Sequence, residues 1–167
     1  MTRTLHRIFV GKDAHKFSSA HMTIFPDGSK EPLHGHNFQV TVAFDMSDVS
    51  MASFLDFAVV ERAVAEQCKA WHDCLLLPEL SPHYRLISNR DNSFEFTLCN
   101  KRYVVPTDEV VMVKLENIVV ETLAIAFAQG MVARMGGSIS PKTVLGIEVS
   151  VSEAPGLSGG YYWTWPS

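Results

Sequence analysis

Two histidines separated by one glycine, His34-Gly35-His36, open the most regular alternating segment of the chain, residues 36–44. Side chains alternate between the two faces of a strand, so His34 and His36 share the face of Phe38, Val40, Val42 and Phe44. Imidazoles on an apolar face need partners, because an uncompensated buried polar group costs roughly 2–7 kcal/mol. A shared divalent metal supplies one, and Gly35 leaves the backbone free to bring both rings inward. His21, in phase with Phe17 and Ser19 on an expected first strand, could supply a third ligand. Three histidines with a fourth position open is the pattern of a catalytic zinc. The H-x-H spacing alone also fits core histidines bonded to carbonyls. A carboxylate is the second anomaly. Glu153 continues the apolar phase of Ile147, Val149 and Val151, where it could pair with a planar two-donor edge, or be a strand-end acid that has left the sheet.

The elements that must position these groups follow from periodicity. Residues 57–70 carry helical spacing, with Phe57, Val60, Val64 and Cys68 on one stripe. A second helix is expected from about Val119 to Met135, stopped by Gly136-Gly137. Residues 94–98 alternate and return through Tyr103–Val105 as a hairpin around Cys99-Asn100, whereas Val110–Val113 fits strand or loop. Residues 143–153 form another alternating strand, followed by a short aromatic one from Tyr161 to Trp165. This order predicts an α+β fold with two helices on one face of a mainly antiparallel sheet.

Composition narrows the partners. The chain has 167 residues, 47% hydrophobic and 19% charged, with net charge −4, seven histidines and three cysteines. That length suits one domain, residues 1–167, that needs no disulfide staples. Mild acidity argues against nucleic acid or an anionic membrane, and no apolar run reaches the ~20 residues that span a bilayer. The opening segment MTRTLHR is charged with no apolar stretch after it, so no signal peptide is expected. Cys68, Cys74 and Cys99 show no C-x-x-C spacing, which points to a reducing, cytoplasmic setting.

Taken in order, Phe17-Ser18-Ser19-Ala20-His21, Leu33-His34-Gly35-His36-Asn37, Phe54-Leu55-Asp56-Phe57, His72 followed by Leu75, Glu116–Ala124 and Val149–Glu153 resemble the 6-pyruvoyl-tetrahydropterin synthase and 6-carboxy-tetrahydropterin synthase family. A long insertion-like stretch lies around Ser81–Arg102. The resemblance implies the tunnelling fold (T-fold), an antiparallel four-stranded sheet with two helices on one face. It implies subunits joined edge to edge, as homohexamers made of two trimers, with active sites at subunit interfaces. It implies Zn2+ on His21, His34 and His36, and Glu153 holding the amino-pyrimidinone edge of a small-molecule pterin. The usual substrate is 7,8-dihydroneopterin triphosphate.

The chain departs from the family pattern at three positions, Lys30, Trp71 and Val119. Lys30 stands where the family has its proton-abstracting cysteine, four residues before His34. Glu31 follows it, and a family subgroup with glutamate there cleaves the substrate side chain to 6-hydroxymethyl-7,8-dihydropterin. Glu31 could therefore act as the base. Trp71 replaces the aspartate that precedes the family's catalytic histidine, so His72 as acid–base group would depend on another partner such as Asp73. Cys74 is either a displaced nucleophile or a small buried hydrophobe. Val119 stands where the family has a pterin-binding threonine. Two functions follow as expectations: a zinc-dependent pterin lyase with Glu31 and His72 as catalytic residues, or a zinc- and pterin-binding T-fold protein that has lost the synthase chemistry. The product remains open among the 6-hydroxymethyl, 6-carboxy and 6-pyruvoyl pterins.

Overall fold

The long alternating segment opened by His34 becomes a 13-residue strand, and the rest of the main sheet is built around it. A computed structural model describes residues 5–166. Residues 1–4, which belong to the segment read for a signal peptide, and Ser167 lie outside the described residues. The strands are β1 (His6–Val10), β2 (Lys16–His21), β3 (His34–Met46), β4 (Cys74–Pro78), β5 (Tyr84–Arg90), β6 (Ser93–Leu98), β7 (Lys101–Pro106), β8 (Val110–Val113), β9 (Val144–Ala154) and β10 (Leu157–Thr164). The helices are α1 (Phe57–Trp71) and α2 (Val120–Met135). No helix among the described residues is long and apolar enough to cross a membrane.

The main sheet has seven strands in the order β10-β9-β3-β2-β4-β8, with β1 also paired to β3. Both β1 and β2 pair antiparallel with β3, β1 along Val42–Met46 and β2 along His34–Gln39. They therefore lie in line on one side of β3, broken at residues 11–15. Counted this way, the four-stranded antiparallel unit expected from the sequence is present as β1/β2, β3, β9 and β10. The expectation falls short beyond β2, where β4 and β8 add parallel pairs and make the sheet mixed. Strands β5, β6 and β7 form a separate antiparallel sheet.

Two apolar layers result. Phe17, Phe38, Val40, Val42 and Phe44 of the sheet pack with Val60 and Val64 of α1 and with Leu123 and Phe127 of α2. Asp56 caps α1, its carboxylate accepting the Ala58 N–H at 2.9 Å. On the other side, Met22, Leu75 and Leu77 meet Phe94, Phe96 and Leu98 of the small sheet. The expected hairpin turns at Cys99 and Asn100, both with positive φ (49° and 61°), the left-handed pair that a two-residue turn requires. At the opposite end of β3 from His34, Arg7 grips Asp45 through two bonds of 2.7 and 3.0 Å, and Tyr162 donates to the same carboxylate.

The break between β1 and β2 buries His15, whose carbonyl accepts the Val40 N–H at 2.8 Å. Its Nδ1 has no hydrogen-bond partner, and burial pushes its pKa below the ordinary histidine value. The unfolded chain then binds the proton more readily than the folded one, so His15 costs no stability well above pH ~6.5 and costs progressively more as pH falls below it. Thermal unfolding followed from pH 7.5 to 5.5 is expected to show a falling Tm, with a shallower fall in His15→Phe. Equal slopes in the two proteins would contradict this.

Candidate metal centre and flanking carboxylates

His21 ends β2 and His34 begins β3, and the two face each other directly in the antiparallel register, with His36 two residues further along the same face. A Cβ at Gly35 would stand 3.0 Å from the Ser19 carbonyl oxygen, so glycine is what lets β2 and β3 approach closely between the two histidines. The three rings converge, with centroids 4.6, 5.3 and 4.9 Å apart for the pairs 21–34, 21–36 and 34–36. One ligand-capable nitrogen from each lies within 4.8 Å of the others.

The hydrogen bonds assign the tautomers. His21 Nδ1 lies 2.9 Å from the Ile118 carbonyl and His34 Nδ1 lies 2.9 Å from the Pro32 carbonyl. A carbonyl only accepts, so each Nδ1 carries the hydrogen and each Nε2 presents a lone pair. His21 Nε2 is buried without any partner. Leaving such an acceptor unsatisfied costs about 1–3 kcal/mol. A cation held between three imidazoles removes that cost, and the carbonyl-held Nδ1–H is the usual outer support of a metal-binding histidine. Burial, opposed by the Ile118 bond, holds His21 below the ordinary histidine pKa, which keeps it neutral and able to donate. The donor set fits a divalent transition metal.

Two carboxylates flank the triad. Glu31, three residues before His34, brings Oε2 to 3.7 Å from His34 Nε2 and is half-buried. Glu153 lies on the triad's face of the sheet. Gln39 pairs with Ser152, so the register places Glu153 beside Phe38, and its charge acts on His21. It is half-buried rather than buried, as its apolar phase had suggested, because pairing to β3 ends at Ser152 and β9 continues with β10 alone.

Other residues singled out in the sequence are not among the three converging ligand atoms. His72 caps the C-terminus of α1, its Nδ1 accepting the Ser18 N–H at 3.0 Å and its Nε2 3.4 Å from Asp73 Oδ2. Trp71 is buried against Phe17 and Phe127. Cys74 is buried, donates its S–H to the Trp71 carbonyl at 3.0 Å, and has its pKa raised by burial, so it is held as a thiol. Lys30 donates to the Glu31 carbonyl at 2.9 Å and lies 5.1 Å over the Tyr103 ring, turned toward the small sheet. Val119 caps α2 with no side-chain bond, and Thr122 Oγ1 accepts its N–H at 3.3 Å. A cleft of about 630 Å³ runs beside the site, lined by Ser18, Asn37, Asp73 and Glu109 among others, and His36 is the only triad residue it reaches.

The Ile118 carbonyl went unread in the sequence, since any residue carries one. The only pointer was the likeness of Glu116–Ala124 to a family motif.

The sheet, its two helices and three converging histidines that could hold a metal, with a carboxylate beside them, make this a T-fold chain. The family model for 6-pyruvoyl tetrahydropterin synthase matches residues 11–162, and the chain belongs to that family. A Methanocaldococcus jannaschii protein provisionally named 6-carboxy-5,6,7,8-tetrahydropterin synthase is 30% identical over 149 residues, covering 87% of this chain and 88% of that one. The Plasmodium vivax 6-pyruvoyl tetrahydropterin synthase superposes with a TM-score of 0.88 at 21% identity, over 97% of this chain and 99% of that one. A variant of the Plasmodium vivax protein, described as a catalytic-residue mutant with glutamate changed to alanine, superposes with a TM-score of 0.87 at 21% identity over the same shares.

Proposed function

We propose that this chain is a zinc-dependent pterin lyase acting on the side chain of 7,8-dihydroneopterin triphosphate or a close relative, with Glu31 as its base. The observation that carries this reading is the Glu31 carboxylate 3.7 Å from Nε2 of a triad histidine. The Plasmodium vivax protein whose catalytic residue is a glutamate supports it. So does the buried, protonated state of Cys74, the competing nucleophile.

Zinc, when bound to His21, His34 and His36, supplies Lewis acidity toward the side-chain hydroxyls. Glu31 takes the proton of the hydroxyl on the second side-chain carbon. The O–H electrons become the carbonyl of the departing aldehyde, and the bond between the first and second carbons breaks. Its electron pair passes to the first carbon, conjugated with the ring imine. Protonation there leaves a 6-hydroxymethyl pterin, so atoms and charge balance without an oxidant. Glu153 anchors the ring, its two oxygens accepting parallel N–H bonds from the amino-pyrimidinone edge. His72 is not among the converging ligands of its own chain, and we place its acid–base role at the site of a neighbouring copy in a homohexamer. The reading extends to a single cytoplasmic domain over residues 1–167.

A second reading, pterin binding without turnover, is favoured by Trp71, which puts a buried indole where the family's aspartate would orient His72. Zinc removal separates the two. Dialysis against a chelator is expected to abolish consumption of 7,8-dihydroneopterin triphosphate, and one equivalent of zinc per chain to restore it. Substrate bound and recovered unconsumed from the zinc-loaded protein would favour the second reading. Unchanged turnover without metal would overturn the first.

A further inference from the structure

The segment between β8 and α2 carries one side chain bonded to both halves of the site. Asn117 Oδ1 accepts the N–H of Ile24 at 2.9 Å and the N–H of Ile118 at 3.0 Å, while Asn117 Nδ2 donates to the Ile24 carbonyl at 2.9 Å. The amide thus stands in for a strand partner to Ile24, 93 residues away in sequence. Each attachment leads to a different group. Ile118 supplies the carbonyl that takes the His21 Nδ1 hydrogen at 2.9 Å and so aims the unpartnered Nε2. Ile24 bridges to Lys30, and the neighbouring Thr23 carbonyl accepts the Glu31 N–H at 2.9 Å, so the segment from 23 to 31 is a strap that delivers Glu31 to His34. Asn117 is itself held, since Thr122 Oγ1 donates to its carbonyl at 2.7 Å.

We infer that Asn117 is a positioning residue that ties the orientation of His21 to the placement of Glu31, through Ile118 on one side and Ile24 on the other. The inference rests on the zinc-lyase reading of the site. Oδ1 serves both attachments, whereas Nδ2 serves Ile24 alone, and this makes them separable. Asn117→Asp keeps an oxygen for both N–H donors but sets a second oxygen against the Ile24 carbonyl, so it disturbs the strap and spares Ile118. Asn117→Ala removes both attachments.

Zinc affinity is measured by competition with a chromophoric chelator, alongside kcat and KM on the zinc-loaded protein. Asn117→Ala is expected to bind zinc about 10–100-fold more weakly, the usual cost of losing an outer support of a metal ligand. Asn117→Asp is expected to keep zinc affinity within about 3-fold, since the His21 support survives. Its kcat is expected to fall by roughly 10–100-fold, because displacing a reacting group by about 1 Å can cost 10²-fold. A purely structural role would lower Tm in both variants without separating metal affinity from kcat. If Asn117→Ala fails to fold, Asn117→Asp alone decides. Affinity retained with kcat lowered supports the inference, and both retained or both lowered in parallel overturns it. A wild-type chain that takes up no zinc would instead overturn the zinc reading itself, and this inference with it.

Discussion

Glu31→Ala is expected to lower kcat on 7,8-dihydroneopterin triphosphate by about 10³-fold, within the 10²–10⁴ range that positioned general acid–base groups contribute. Zinc content is expected to stay near one per chain, because the carboxylate stands 3.7 Å from His34 Nε2 and is not one of the three converging donors. Glu31→Gln is expected to behave alike, since it keeps the shape and loses the basicity. The contrasting variant is Cys74→Ala. Its thiol is buried, bonded to the Trp71 carbonyl and held protonated by burial, so turnover is expected to survive its removal. Lys30, the residue at the family's cysteine position, points its ammonium at Tyr103 and the Glu31 carbonyl, which leaves it a strap contact rather than a base. Steady-state kinetics with metal analysis on the same preparations checks all of this. Full activity in Glu31→Ala with loss in Cys74→Ala would reverse the assignment.

The second large effect concerns the triad. His36→Ala is expected to weaken zinc binding by more than the 10–100-fold cost of an outer-shell partner, and to abolish turnover with it. His36 is only half-buried, so its removal leaves the Phe17, Phe38 and Phe44 core intact and the apo protein folded. A ligand at 100 times its Kd stabilises the folded state by about 2.7 kcal/mol. For a chain of this size each kcal/mol moves Tm by roughly 2–4 °C. Zinc is therefore expected to raise the wild-type Tm by about 5–10 °C and to leave that of His36→Ala nearly unchanged. Pterin affinity through Glu153 is expected to persist in the variant. Differential scanning fluorimetry with and without zinc reads the effect, and an equal zinc-induced shift in both proteins would exclude His36 as a ligand.

What the sequence makes legible here is what periodicity encodes. Strand β3 alternates because one face meets the helices, and β9 alternates for the same reason, so both were readable along with the in-phase histidines and Glu153. Strand β4 was not, because all of Cys74–Pro78 is buried: Leu76 faces the helical core and Leu75 and Leu77 face the small sheet. A strand covered on both sides loses its alternation. The opposite failure hides β5, whose residues are exposed or half-exposed throughout and present no apolar face to read. Strand β1 escaped because its line is continued by β2 only across the break at residues 11–15, a tertiary fact with no local signal.

The site divides along similar lines. Side-chain identity and spacing single out His21, His34 and His36, whose ring nitrogens converge, whereas Glu31, 3.7 Å from His34 Nε2, is legible only through the family resemblance. The supports are backbone groups and long-range bonds. Neither the Ile118 carbonyl on His21 nor the Asn117 amide on Ile24 could be read from residue type, because each depends on two distant segments meeting. Trp71 shows the limit of motif matching. Its position aligned with an aspartate, yet its indole belongs to the aromatic core with Phe17 and Phe127.

In the proposed reaction the Glu31 carboxylate beside the three histidines takes the hydroxyl proton that starts cleavage of a pterin side chain. Chromatographic identification of the product formed from 7,8-dihydroneopterin triphosphate by the zinc-loaded wild-type chain decides whether it does. The expected result is a 6-hydroxymethyl pterin with the released aldehyde in equal amount, and neither from Glu31→Ala. Recovery of intact substrate from the wild-type protein, or an undiminished yield from Glu31→Ala, would contradict it.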